Sequence, residues 1–249
     1  MLYKFVYRPD YRDIFVSEFL HLWNVADNSE VRFSDKTAFY STVIKGNSVF
    51  RGGAYSFCMT PNMDPMFFNM GNYCSLSWGL KILFENHPYE RFSTSVLTYK
   101  PRDVLRTPDF QMQAQIHSCR FSEVTKTFRI ANDVWIGQDV ILANKIVIHT
   151  GACVAGGAVV VKDVPPYAIV GGNPAKIIKY RFEDNIIEKL LETRWTEYDI
   201  APMKIRGDIP VEQFIDVFYD YKDKGKIKPI VLKNLKEILD KHGIEYTQV

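Results

Sequence analysis

The stretch that decides the fold runs from Ile130 to Pro166, IANDVWIGQDVILANKIVIHTGACVAGGAVVVKDVPP. Taken six at a time from Ile130, the first place holds Ile130, Ile136, Leu142, Ile148, Val154 and Val160. The fifth place holds Val134, Val140, Ile146, Ala152, Ala158 and Val164. The second is mostly small (Ala131, Gly137, Ala143, Ala155), with His149 the exception. A period of six is neither the 3.6 of a helix nor the simple alternation of a meander. It fits short parallel strands joined by tight turns and stacked as a solenoid, with the first-place residue pointing inward. One coil alone cannot bury its apolar face. Stacking builds a continuous aliphatic column, stabilised by roughly 25 cal/mol per Å² of apolar surface removed from water.

The beat extends upstream. In MGNYCSLSWGLKIL, Met70, Leu76 and Ile82 keep the first place and Cys74 and Leu80 the fifth. It then stops at FENHPYERFSTS, Phe84 to Ser95, and returns only at Ile130. Earlier it is fainter, at Phe33 with Thr37 and Phe39 with Val43, while Lys45 and Arg51 fall where aliphatics are expected. Coils are therefore expected over 31–83, with an irregular excursion at SFCMTPNMDPMFF, whose prolines Pro61 and Pro65 resist regular pairing.

The flanks follow another rhythm. In YRDIFVSEFLHLW the apolar residues at 14, 15, 19, 22 and 23 describe a helical face. EDNIIEKLLETRW places Ile186, Ile187, Leu190 and Leu191 at helical spacing, and IVLKNLKEILDKHG does likewise before a C-capping Gly243. The expected division is an N-terminal helical or irregular segment (1–30), a β-solenoid (31–180) with an extruded loop (84–129), and a helical extension (181–249) that packs on it.

Composition excludes several classes. The chain has 249 residues and a net charge of +2, with acidic and basic residues interleaved. That gives no nucleic-acid footprint and no membrane-surface patch. No apolar run approaches the ~20 residues of a membrane span, and the opening MLYKFVYRPDYRD carries no export signal. Cys58, Cys74, Cys119 and Cys153 form no CxxC pair, so a reduced cytoplasm is the expected compartment.

The segments NDVWIGQDVIL, VVKDVPPYAIVGGNPAKIIKYRF and GNYCSLSWGLKIL, followed by ENHP, resemble the hexapeptide-repeat acyltransferases. The resemblance is nearest to the branch of xenobiotic acetyltransferases and polysaccharide O-acetyltransferases, and it spans roughly residues 31 to 195. It implies a left-handed parallel β-helix and a homotrimer whose active sites lie in clefts between neighbouring copies. It also implies acetyl-coenzyme A as acyl donor and a histidine at the loop's base as general base, here His87. Lys162, Lys176 and Lys179 match places where relatives contact coenzyme A, and Gly156 a small residue facing the pantetheine arm. Trp135 matches a tryptophan near the acetyl or acceptor end. Many relatives carry threonine where this chain has Val161, which removes one hydroxyl contact.

The chemistry asked of these residues is simple. An acceptor hydroxyl must lose its proton as it attacks the thioester carbon, and neutral imidazole can accept it, typically adding about 10² to 10⁴ in rate. Glu85 or Glu90 could hold the other ring nitrogen, and Asn86, Tyr89 and Glu90 could contact the acceptor. The first expectation is O-acetylation of a sugar hydroxyl in a surface polysaccharide or its precursor. A chloramphenicol or streptogramin acetyltransferase and an amino-sugar N-acetyltransferase remain open. A zinc enzyme of the γ-carbonic-anhydrase kind would need His87, His117 and His149, but the close histidine pair of such enzymes is missing, and no metal is expected. An inactive scaffold is the last alternative. Cys58, Cys74 and Cys153 have no basic neighbour in the sequence, and a covalent acyl-cysteine has little to support it.

Overall fold

The computed structural model describes residues 1–61, 63–65, 67–83, 87–99 and 129–249. The six-residue beat becomes a parallel β-solenoid of about six turns. Three units make one turn, so residues in register stand eighteen positions apart: Cys58 beside Leu76, Ile130 beside Ile148, Ile136 beside Val154, Leu142 beside Val160. The first face runs from Leu20–Trp23 through Thr42–Lys45, Phe57–Cys58, Ser75–Leu76, Trp135–Ile136 and Cys153–Val154 to Ala168–Gly172. Ala175–Tyr180 then folds back on it antiparallel. The second face holds Lys81–Leu83, Ile141–Ala143 and Val159–Val160. The third holds Arg51–Gly52, Asn69–Met70, Arg129–Ile130 and Val147–Ile148.

Every first- and fifth-place residue from Ile130 to Val164 is buried, so both registers of the repeat face the interior. The turn entering the first face needs left-handed backbone once per coil. Phe19, Ser41, Tyr55, Tyr73, Asp133, Gly151 and Tyr167 occupy it, with φ between 48° and 76°. Such backbone is costly for any residue but glycine, at about 1 kcal/mol or more each. A hydrogen-bond ladder holds it: Tyr73 N donates to Ala54 O (2.6 Å), Asp133 N to Asn72 O (2.8 Å), and Tyr167 N to Thr150 O (2.9 Å).

Two expectations change. Phe57–Cys58 is a regular strand of the first face, so the excursion begins only after Cys58. Ile44 pairs with Cys58 only fourteen positions on, a coil four residues short of eighteen that breaks the six-residue frame. Ile44, Val49 and Phe50 are buried there, while Lys45 is half-buried and Arg51 exposed. At the N-terminus, the helical spacing over 14–23 proves to be two elements. Helix α1 (Tyr11–Ser17) ends, Phe19 turns at φ 66°, and Leu20–Trp23 pairs parallel with Thr42–Lys45. Leu20 and Leu22 are inward by strand alternation, whereas Phe19 and Trp23 are exposed.

After the solenoid come α2 (Asp184–Thr193), α3 (Val211–Asp223) and α4 (Leu235–Lys241). The segment between α2 and α3 covers the strained corner. Tyr55 Oη donates to Asp199 Oδ1 (2.7 Å), Tyr73 Oη to Tyr198 O (2.6 Å), and Asn132 Nδ2 to Thr196 Oγ1 (3.0 Å). The Tyr55, Tyr73 and Trp195 rings follow one another at 5.2 and 5.1 Å. The chain then returns to its beginning. Lys233–Asn234 pairs with Ala38–Phe39, and Thr247–Gln248 with Leu2–Val6. Leu235, Ile238, Leu239 and Ile244 complete the same apolar core as the coils. No helix among the described residues is long and apolar enough to cross a membrane.

Candidate active site

His87 follows the strand Lys81–Leu83 and precedes Pro88, a placement that disfavours helix at the histidine. A tight turn follows, with Tyr89 N donating to His87 O (2.8 Å) and Arg91 N to Pro88 O (3.1 Å). His87 Nδ1 lies 2.9 Å from Thr94 O and 3.1 Å from Tyr99 Oη, and the Tyr99 ring meets the imidazole edge to face at 5.9 Å. A carbonyl oxygen only accepts, so Nδ1 carries the proton and the lone pair falls on Nε2. The Thr94 carbonyl thus sets the tautomer. Glu90 is exposed with Tyr89, and Glu85 and Asn86 lie outside the described residues. Tyr99 is buried, and Arg91 Nη1 donates to Thr98 O (2.7 Å), so the loop's base is packed against itself. Nothing periodic marks Thr94 or Tyr99 in the sequence.

The residues matched to coenzyme A contacts spread over two faces. Trp135 is half exposed on the first face and begins an outward row that continues through Cys153 and Ile169 to Lys179. Lys176 sits opposite Gly171 on the same hairpin, and both lysines are exposed. Lys162 follows Val159–Val160 on the second face, the face from which the His87 loop departs. Gly156 lies exposed at the edge between these faces. A Cβ there would stand 3.2 Å from Gln138 O, a tight but open position. The stricter constraint is Gly137, whose Cβ would stand 2.5 Å from Gly156 N. Its second-place smallness in the repeat was the signal, and the stacked backbone behind it is the cause. Trp78, also exposed, has Lys45 Nζ 3.2 Å from its ring centre.

Burial pushes the Cys58 and Cys74 thiols up to about 12 and raises that of half-buried Cys153 as well. Cys74 Sγ instead donates to Ala131 O at 3.1 Å, a packing role. Cys119 and His117 lie outside the described residues. Among the described residues no group of three His, Cys, Asp or Glu side chains is arranged to hold a metal ion.

No family model matches the chain. A chloramphenicol acetyltransferase of Klebsiella aerogenes is 33% identical over 177 residues, covering 70% of this chain and 78% of that protein. Another, of Agrobacterium fabrum, is 36% identical over 138 residues, covering 54% of this chain and 62% of that protein. This chain therefore spans less than two thirds of the Agrobacterium protein's length. A solved hexapeptide-repeat acetyltransferase of Vibrio cholerae, complexed with acetyl-coenzyme A, is 19% identical with a TM-score of 0.37. That alignment covers 68% of this chain and 75% of the other. The chain belongs to the hexapeptide-repeat acetyltransferase family. Its fold is a mainly β, parallel-stacked solenoid.

Proposed function

We propose that this chain is an acetyl-coenzyme A-dependent O-acetyltransferase with His87 as general base. The observation that carries the reading is the imidazole whose Nδ1 is anchored on the Thr94 carbonyl, leaving Nε2 to accept a proton. As the acceptor oxygen bonds to the acetyl carbon, its proton passes to Nε2. As the carbon–sulfur bond breaks, the imidazolium can return that proton to the departing thiolate. Lys162, Lys176 and Lys179 supply cations for the phosphates of coenzyme A, and among the described residues none of them is paired with a carboxylate. Gly156 leaves a flat path for the pantetheine arm, and Trp135 stands at its acetyl end.

His87 leaves the second face while Trp135 and Lys179 sit on the first, and two faces of one prism diverge. A homotrimer resolves this by setting the loop of one copy against the next. Asn86, Tyr89 and Glu90 then meet the acceptor, a sugar hydroxyl of a surface polysaccharide or its precursor. An antibiotic hydroxyl is the second reading, and the names of the curated relatives favour it. A thiol-release screen with acetyl-coenzyme A across saccharides, amino sugars, chloramphenicol and a streptogramin separates the two. Turnover of one acceptor class, lost on His87→Ala, is the expected result. Turnover undiminished by that substitution refutes the base assignment.

A further inference from the structure

Two guanidiniums stand in one row on the third face. Arg51 is in register with Asn69, and Ile130 with Met70, which places Arg129 one strand beyond Asn69. Their neighbours Gly52, Met70 and Ile130 are buried, so Arg51, Asn69 and Arg129 point outward by strand alternation. Strands lie about 4.8 Å apart, which sets the two arginine backbones roughly 10 Å apart. Side chains of that length can converge on one small anion.

The row borders a cavity of about 360 Å³. Its floor is the neighbouring row Gly53, Gly71 and Ala131. A Cβ at Gly53 would stand 2.1 Å from the Gly71 carbonyl carbon, and one at Gly71 would stand 2.3 Å from Asn132 Oδ1. The close stacking of coils thus keeps larger side chains off the floor. A wall comes from the returning tail, Pro229, Ile230 and Leu232, tied down by Ile230 N donating to Glu197 O (2.8 Å). Among the described residues no carboxylate engages Arg51 or Arg129. Glu197, which also lines the cavity, is already held by Arg194, Nη2 to Oε2 at 2.7 Å and Nε to Oε1 at 3.0 Å. An outward arginine is ordinarily just solvated. Here two unpaired ones share a walled recess.

We propose that this recess binds an oxyanion, the phosphate ester or carboxylate of a saccharide-sized molecule, gripped by Arg51 and Arg129 with Asn69 donating between them. The planar guanidinium fork pairs with either group in bidentate fashion. The volume falls in the range of small-molecule sites and leaves room for a ring beside the charge. Within one chain the recess is on a different face from Trp135, Lys162, Lys176 and Lys179.

The test is calorimetric titration of the full chain at low ionic strength, first with inorganic phosphate and separately with glucuronate. Binding requires no acetyl transfer and stands or falls apart from the proposed activity. At least one probe should bind saturably at one site per chain. Arg51→Gln or Arg129→Gln should weaken it about tenfold or more, the loss of a charge-assisted contact. Arg51→Lys, which keeps the charge but loses the fork, should retain part of the affinity. Lys81→Gln, which removes an exposed cation of the second face, should leave it unchanged. Preference for phosphate identifies an ester, and preference for glucuronate an acidic sugar. Absence of saturable binding by both probes, or equal weakening by Lys81→Gln, overturns the proposal. Circular dichroism checks that each variant is folded.

Discussion

Glu18→Gln tests whether charge holds the tail to the first coil. Glu18 lies just past α1 with its side chain 8% exposed, and two lysines and a histidine from the far end of the chain converge on it. Lys233 Nζ lies at 2.7 Å, Lys241 Nζ at 2.5 Å and His242 Nε2 at 3.0 Å. Hydrogen bonds from Lys233, then Lys241 and His242, lower its pKa from 4.5 to about 2. A drop of that size corresponds to about 3 kcal/mol in favour of the charged carboxylate. Lys241 is 65% exposed and Lys233 34%, so screening by water reduces the contribution to about 1–2 kcal/mol. For a chain of this length that is about 2–4 °C in Tm at pH 7. The folded-state pKa is the lower one, so the stabilisation is fully present above the unfolded value of 4.5. It is lost as pH falls from there through about 2. Thermal melts of wild type and Glu18→Gln at pH 7, 4 and 2 should therefore show a gap that closes toward acid. A gap that is absent at pH 7, or unchanged at pH 2, refutes the reasoning.

Three other outcomes are expected. His87→Ala should lower kcat by about 10² to 10⁴ while leaving Tm within about 1 °C, because the ring is exposed at the loop's base; steady-state kinetics and melts read both. Gly137→Ala puts a Cβ 2.5 Å from Gly156 N and should cost about 2–3 kcal/mol, measured by denaturant unfolding, whereas Gly157→Ala, with nothing within 4 Å but φ at 70°, should cost only about 1 kcal/mol of backbone strain. Arg181 Nη1 contacts Asp133 Oδ2 and Gly151 O, both at 2.8 Å, and burial already raises the Asp133 carboxyl. Arg181→Gln should therefore destabilise by about 2–3 kcal/mol at pH 7, by the same unfolding assay, because it leaves that carboxylate without its counter-charge.

The repeat was legible because burial in a solenoid is strictly periodic. The aliphatics from Ile130 to Val164 needed no tertiary knowledge to be placed inside. The frame failed where coil length changed. From Phe39 through Ile44 to Val49 the buried residues come every five positions with no composition signal, so Lys45 and Arg51 seem to sit in the core when they do not. Leu20–Trp23 was hidden for another reason: two strand-alternating leucines beside a real helix mimic one continuous helical face. His87 stood out through the broken beat and the family resemblance. Its partner Thr94 was invisible, because a backbone carbonyl carries no sequence signature. The tail's return to Glu18 was equally silent, since contacts more than two hundred positions apart leave no local pattern.

Leu76 and Ile136 lie in register as neighbouring coils although sixty positions separate them. Closing a chain segment grows more costly only logarithmically, about 0.6 kcal/mol for each doubling in length. The seam after Leu83 therefore tolerates inserts of very different size without disturbing the rod on either side. Under the proposed function, acceptor recognition is exchangeable there as a cassette, while the scaffold that would seat the acyl donor stays fixed.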